Sequence, residues 1–166
     1  KRFKGDKYWY NILYEPERNL FNGSLPNIDR AVHWLTKKPL APGLGNAGAV
    51  AWSLAGSTGC SPIVLCGLDY SYGIEQDAKK TLYWSAYKNK YGLSDTETYD
   101  KCYRREVNPW GHDVLTDEVW DNYKAFFFQA VKATKIQTVN VSPYSIIYGL
   151  GIETRNWNGW VKTFSK

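Results

Sequence analysis

Methionine is absent from the 166 residues, position 1 included, which predicts that the chain is a piece of a longer one. Cysteine occurs three times, at Cys60, Cys66 and Cys102. An odd number without metal-ligand spacing argues against both a disulfide framework and a zinc site, and fits a reducing compartment. No apolar run approaches the ~18 residues of a membrane span, and the start, KRFKGDK, lacks the apolar stretch of a signal peptide. A soluble, cytoplasmic protein is therefore expected. Charge of one sign is also scarce. With 21 Lys and Arg against 16 Asp and Glu the net charge is only +5, and the basic pairs Lys37-Lys38, Lys79-Lys80 and Arg104-Arg105 are scattered. This reads as solvated surface in preference to a nucleic-acid patch, and leaves room for attraction of an anionic substrate; no nucleic-acid partner is expected.

What is present is a hydrophobic content of 43%, enough for one globular domain of this length, and a heavy aromatic load of 8 Trp and 13 Tyr. Aromatic rings serve sugar faces, nucleobases and plain cores alike, so the load selects no single function. The stretch around which the rest is arranged is Gly43 to Tyr72, GLGNAGAVAWSLAGSTGCSPIVLCGLDYSY. Gly43, Gly45 and Gly48 permit close backbone approach, and Asn46 is a candidate N-cap. A helix beginning there aims its first N–H groups and its positive dipole end outward, as a phosphate requires. Its small apolar residues, Ala47 to Ala55, suit tight packing on a sheet, and Gly59 stops it. Ile63 to Cys66 then reads as a buried parallel strand ending in Asp69, Tyr70 and Tyr72. Ligands of open α/β sheets bind beyond the carboxyl ends of strands, so these three residues are candidate ligand contacts.

Before this unit, residues 1–38 read as a strand, Lys7 to Tyr14, and a short helix, Ile28 to Thr36. His33 in that helix reads as a packed or half-exposed histidine in preference to a catalyst. After it, Asp77 to Tyr91 has helical spacing, with Leu82, Tyr83, Ala86 and Tyr87 as a buried aromatic stripe. Gly92 to Val107 is polar and irregular in pattern, and its length suggests a lid. Asn108-Pro109-Trp110-Gly111-His112 is a turn that delivers a histidine. Thr116 is the expected N-cap of a helix from about Asp117 to Ala133, burying Val119, Trp120, Tyr123, Phe126, Phe127 and Ala130. Ile136 to Val141 reads as another strand, followed by the turn Ser142-Pro143-Tyr144-Ser145. The core is expected over 39–152, with 153–166 as a tail.

Gly43 to Gly48 matches the dinucleotide fingerprint G-x-G-x-x-G, but Pro39 and Pro42 stand where that motif needs a central strand. A nicotinamide enzyme is therefore disfavoured. No Walker loop, zinc pattern or Ser-nucleophile elbow occurs. His112, in a Gly-containing loop beside Asp113 and Asp117, is the candidate general base, since a histidine can accept a proton from a sugar hydroxyl near neutral pH. Tyr70 and Tyr72 are candidates to donate phenolic protons to a departing phosphate.

These segments resemble a known family. GNAGAVAWSLAGSTGCSPIVLCGLDYSYG, with its glycine turn, small-residue helix, Gly-Cys-x-Pro-Ile and strand ending Gly-x-Asp, is similar to the C-terminal half of the motility-associated-factor family, which includes the archaeal 6-hydroxymethylpterin diphosphokinases. WGHDVLTDEVWDNYKAFFFQAV and TVNVSPYSIIYGLGI resemble its later segments. The bacterial monofunctional CMP-sialyltransferases share a similar half. Gly111-His112 with Thr116-Asp117 resembles the segment of their general-base histidine, and Pro143-Tyr144-Ser145 the turn near their cytidine. Their phosphate-contacting tyrosine falls two residues after the Asp, where this chain has Ser71, so Tyr70 or Tyr72 would substitute. Both families also place a first strand and a Gly-x-Gly-Pro-Ser type loop ahead of this half, and no such loop occurs here.

The resemblance implies an α/β, Rossmann-like three-layer sandwich with a mainly parallel sheet. It implies transfer of a sugar, of the nonulosonic or sialic type, from a nucleotide-activated donor to a hydroxyl acceptor. His112, Tyr70 and Tyr72 would be catalytic; Gly45, Asn46, Ala47, Gly48, Asp69, Ser142, Pro143, Tyr144 and Ser145 would bind nucleotide. No metal or other cofactor is required on this reading, and association into homo-oligomers is left open. The alternatives are a pterin-type pyrophosphokinase using ATP and magnesium, and a non-catalytic nucleotide-binding or structural module that retains the fold.

Overall fold

The structure, a computed structural model, describes residues 45–161. The strand expected over Lys7 to Tyr14, the helix over Ile28 to Thr36 with His33, and the Pro39 and Pro42 loop lie outside them.

Helix α1 (Ala47–Ser57) begins where the sequence places it. Asn46 has an extended backbone and its Oδ1 accepts from the Ala49 N–H at 3.0 Å, the arrangement that satisfies one of the first-turn amides. Gly48 and Gly56 let the helix lie close to its neighbours: a Cβ at Gly56 would stand 2.2 Å from Ile136 Cδ1. Trp52 packs edge-on against Phe127, and its Nε1 donates to Thr138 Oγ1 at 3.0 Å, fixing the helix to the strand beneath.

That strand belongs to a three-stranded parallel sheet of β1 (Ile63–Leu65), β5 (Thr138–Asn140) and β6 (Ile152–Thr154), with β5 in the middle. Ile63 pairs with Thr138, and Thr138 with Ile152. Strand alternation gives the sheet two apolar faces. Leu65 and Ile152 join a core with Ala49, Trp52, Phe127 and Val131, while Val139 and Val141 pack with Val64 and Trp160 on the other side. Trp160 comes from the short helix α5 (Trp157–Val161) in the segment expected as tail.

A second, antiparallel sheet of β2 (Tyr72–Gly73), β4 (Asp113–Asp117) and β3 (Tyr103–Val107) accompanies it. The described strands thus divide equally between a parallel and an antiparallel sheet, a mixed α and β architecture. The stretch Gly92 to Val107 is regular, not an irregular lid: helix α3 (Asp95–Cys102) starts at a capping box of Ser94 and Glu97 and runs directly into β3. Asp77 to Tyr91 is also not one helix. A 3₁₀ turn (Ala78–Lys80) precedes α2 (Trp84–Tyr91), and Gly92, at φ 62°, ends it. Leu82 and Ala86 of the expected buried stripe are exposed, whereas Tyr87 is buried. Tyr87 joins Ala78, Trp84, Cys102, Tyr103 and Leu115 in a second core.

Helix α4 (Glu118–Ala133) is capped by Asp117, one residue later than expected. Thr116 is still strand: it pairs with Arg104, and its hydroxyl donates to the Tyr70 carbonyl at 3.2 Å. Of the apolar face, Phe127 and Val131 are fully covered, Trp120 and Tyr123 half-covered, and Phe126 is exposed.

Candidate functional site

The chain leaving β1, Cys66 to Ser71, lies beside the chain leaving β5, Val141 to Tyr148, and polar bonds hold them together. The Val141 N–H donates to the Leu65 carbonyl at 3.1 Å and the Ile146 N–H to the Asp69 carbonyl at 2.9 Å. The Gly67 N–H donates to Ser142 Oγ, and the Ser145 hydroxyl donates to the Leu68 carbonyl at 3.0 Å. Asn140, fully buried, completes the weave: its Nδ2 donates to Ser145 Oγ at 2.8 Å and to the Ile147 carbonyl at 2.7 Å, and its Oδ1 accepts from the Ser142 N–H at 2.9 Å. Buried polar groups stay only where such partners exist. Ser142 and Ser145, expected at a nucleotide, therefore spend their hydroxyls inside the protein, while Pro143 and Tyr144 between them are exposed.

Asp69 ends the β1 arm half-buried, and its Oδ1 is buried with no hydrogen-bond partner. Burial pushes its carboxyl above the usual carboxylate range, against the opposing hydrogen bond with Ser142. Tyr70 follows in a left-handed conformation, φ 54°. Its ring is buried, stacked on Trp120 at 5.6 Å, and its hydroxyl accepts from Asn46 Nδ2 at 2.7 Å. Burial pushes the phenol up to about 12. Tyr70 thus braces the α1 N-cap from below. Ala47 and Gly48 are exposed at the start of α1, where first-turn amides lack intrahelical acceptors. Gly45, at φ 83°, has no room for a side chain, because a Cβ would lie 2.6 Å from the Tyr123 ring.

Tyr72 packs edge-on against Trp120, the ring on which Tyr70 stacks, at 6.0 Å. Its hydroxyl donates to Asp117 Oδ2 at 3.1 Å, in the second core. Asp117, buried, also accepts on Oδ1 from the Val119 and Trp120 N–H groups at 3.0 and 2.9 Å. Burial drives the Tyr72 phenol and the Asp117 carboxyl upward. Tyr70 and Tyr72 both pack on the Trp120 ring, at 5.6 and 6.0 Å, but their hydroxyls take different partners, Asn46 and Asp117.

His112 is exposed at the end of the β3–β4 hairpin, and the structure carries it to Tyr144. The two ring centroids are 5.1 Å apart at 35° between planes. The residue responsible is Asn108, whose place in Asn-Pro-Trp-Gly predicts only a turn. It is buried, its Oδ1 accepts from the Trp110 and His112 N–H groups at 3.1 and 3.0 Å, and its Nδ2 donates to the Pro143 carbonyl at 2.6 Å. Across the gap, the Ser71 hydroxyl donates to the Tyr144 carbonyl. The α1 cap, the Asp69–Ser71 arm and the His112–Tyr144 pair are therefore consecutive neighbours. Asn-Pro-Trp-Gly marks a turn in the sequence, but nothing local marks its bond to Pro143.

Among the described residues no group of three or more His, Cys, Asp and Glu side chains is placed to hold a metal ion, and no helix is long and apolar enough to cross a membrane. Cys60 and Cys66 are exposed, Cys102 is buried, and all three are free thiols. Comparison with protein-family models, curated proteins and solved structures finds no match for this chain.

Proposed function

We propose that the chain is a glycosyltransferase of Rossmann-like type, similar to the motility-associated-factor family and the bacterial CMP-sialyltransferases. It moves a nonulosonic or sialic-type sugar acid from a nucleotide-activated donor to a hydroxyl acceptor. The observation that carries this reading is the seating of an exposed histidine, His112, on the exposed ring of Tyr144 at the carboxyl end of a parallel sheet. In the reaction His112 takes the proton of the acceptor hydroxyl. The acceptor oxygen then bonds to the anomeric carbon as the bond from that carbon to the donor phosphate oxygen breaks, and the nucleotide leaves with the electron pair.

The exposed start of α1, from Gly45 to Gly48, receives the phosphate on backbone N–H groups. Tyr144 and Pro143 form the exposed wall for the nucleoside. Tyr70 holds Asn46 in place instead of touching the phosphate, and Tyr72, bonded to Asp117, takes no part. No resident cofactor enters this scheme.

The test is transfer from a CMP-activated sugar acid to a hydroxyl acceptor. In folded His112→Ala protein the rate falls by about 10²–10⁴-fold, the usual contribution of a positioned base. An unchanged rate removes His112 from the mechanism. A second reading, a pyrophosphokinase using ATP and magnesium, draws on the uncommitted Oδ1 of Asp69 at the end of the β1 arm. Strict magnesium dependence of ATP binding and turnover would favour it. Thermal silence of a folded protein toward both CMP and magnesium-ATP would favour a non-catalytic module.

A further inference from the structure

We propose that Asn108 is a positioning residue that couples the His112 turn to the Tyr144 turn, so that one side-chain amide sets where the base stands relative to the nucleoside wall. The inference takes its catalytic meaning from the transferase reading above, but its structural content can be tested without it. The two turns belong to different sheets. One closes the antiparallel β3–β4 hairpin and the other follows the parallel strand β5. Each turn is internally complete. The Asn108 N–H donates to the His112 carbonyl and the Gly111 N–H to the Asn108 carbonyl, both at 3.0 Å, while Ser142 and Ser145 are tied into the weave below. Besides the His112–Tyr144 ring contact, what joins turn to turn is the Asn108 Nδ2 bond to the Pro143 carbonyl, across 35 residues of sequence. Tyr144 has its own anchor, the Ser71 hydroxyl on its carbonyl. Loss of the Asn108 bond therefore frees the histidine turn while the tyrosine turn keeps its place.

The chemistry singles out asparagine. The position needs an acceptor that takes two N–H groups and a donor on the same planar group, buried at 4% exposure. Aspartate supplies the acceptor but would set a second oxygen against the Pro143 carbonyl. Asn108→Asp thus keeps the hairpin's own bonds and breaks only the bridge.

The experiment reads the His112 imidazole proton shifts by NMR in wild type, Asn108→Asp and Tyr144→Leu. The nearby Tyr144 ring displaces these resonances in wild type, and Tyr144→Leu gives their value without it. In Asn108→Asp they should move to the Tyr144→Leu position while the amide resonances of β3 and β4 hold. Shifts that stay at the wild-type position overturn the proposal. Should Asn108→Asp not fold, the wild-type Asn108 side-chain amide decides. Protection of its protons from solvent exchange supports the bridge, and exchange at the rate of a free asparagine amide overturns it.

With a CMP-activated sugar acid as donor, Asn108→Asp should lower kcat by about 10²-fold, the cost of misplacing a reacting group by around an ångström, with little change in donor KM. A lost ring contact with unchanged kcat overturns the positioning role. A lost ring contact in a protein whose wild type transfers nothing leaves Asn108 as the coupling residue and overturns the transferase reading instead.

Discussion

The hydroxyl of Tyr70 and the carboxyl of Asp69 stand next to each other in the chain and in opposite circumstances. Tyr70 is buried against Trp120 with its hydroxyl on Asn46, so Tyr70→Phe should cost about 1 kcal/mol, the net value of one such bond, with the ring packing intact. Chemical denaturation checks this as a lower midpoint at unchanged slope. Asp69 instead holds a buried oxygen without a partner. Its folded-state pKa lies above the ordinary 3.8, raised first by burial. Between those two values the folded state holds more proton than the unfolded, so its contribution to stability is full below the ordinary value and is lost as pH rises through the raised one. Asp69→Asn should accordingly melt higher than wild type at pH 7, by up to about 1 kcal/mol, and the gap should close as pH falls through that window. Melting temperatures of both proteins across pH 3 to 8 test it, and a gap that widens toward acid would refute it. Asp117, raised for the same reason, is common to both proteins and drops out of the difference.

Helix α4 shows what an element needs from its surroundings. Thr116 and Asp117 are both good caps, and local chemistry alone does not choose between them. Both residues are paired in β4, so the side-chain partners choose: the Thr116 hydroxyl is spent on the Tyr70 carbonyl, leaving the Asp117 carboxylate to accept from Val119 and Trp120. Asp117→Ala should cost about 1–2 kcal/mol from the cap alone, and more once the Tyr72 hydroxyl is left without its acceptor. A denaturation midpoint equal to wild type would contradict that assignment. The stretch after Gly92 carried a readable signal, the Ser94 and Glu97 capping box, which opens α3. β3 carried none, because YRREV has too many charges to look like a strand. Its charges are spent on neighbours: Arg104 pairs with Asp121, and Glu106 accepts from Lys124 at 3.4 Å and from the Tyr148 hydroxyl at 2.9 Å.

At the scale of the molecule, the candidate site is where the parallel and antiparallel sheets meet. A ligand that binds only the folded state stabilises it, by about 2.7 kcal/mol at a hundred times its Kd. CMP without metal should therefore raise the melting temperature, and Gly45→Ala, which forces a side chain against Tyr123, should weaken that rise. An equal rise in both proteins would move the phosphate away from α1. By itself the sequence determined what is local: α1 with its Asn46 cap, the apolar runs that became β1 and β5, and the amphipathic face of α4. Spacing and capping chemistry operate within a turn or two of chain, so a reader of residues can see them. Tertiary structure alone decided the antiparallel sheet, the burial of the Ser142 and Ser145 hydroxyls, the different partners of the Tyr70 and Tyr72 hydroxyls, and the meeting of His112 with Tyr144 through Asn108. Those outcomes depend on which buried donor finds which acceptor across long stretches of chain, and no local pattern encodes that choice.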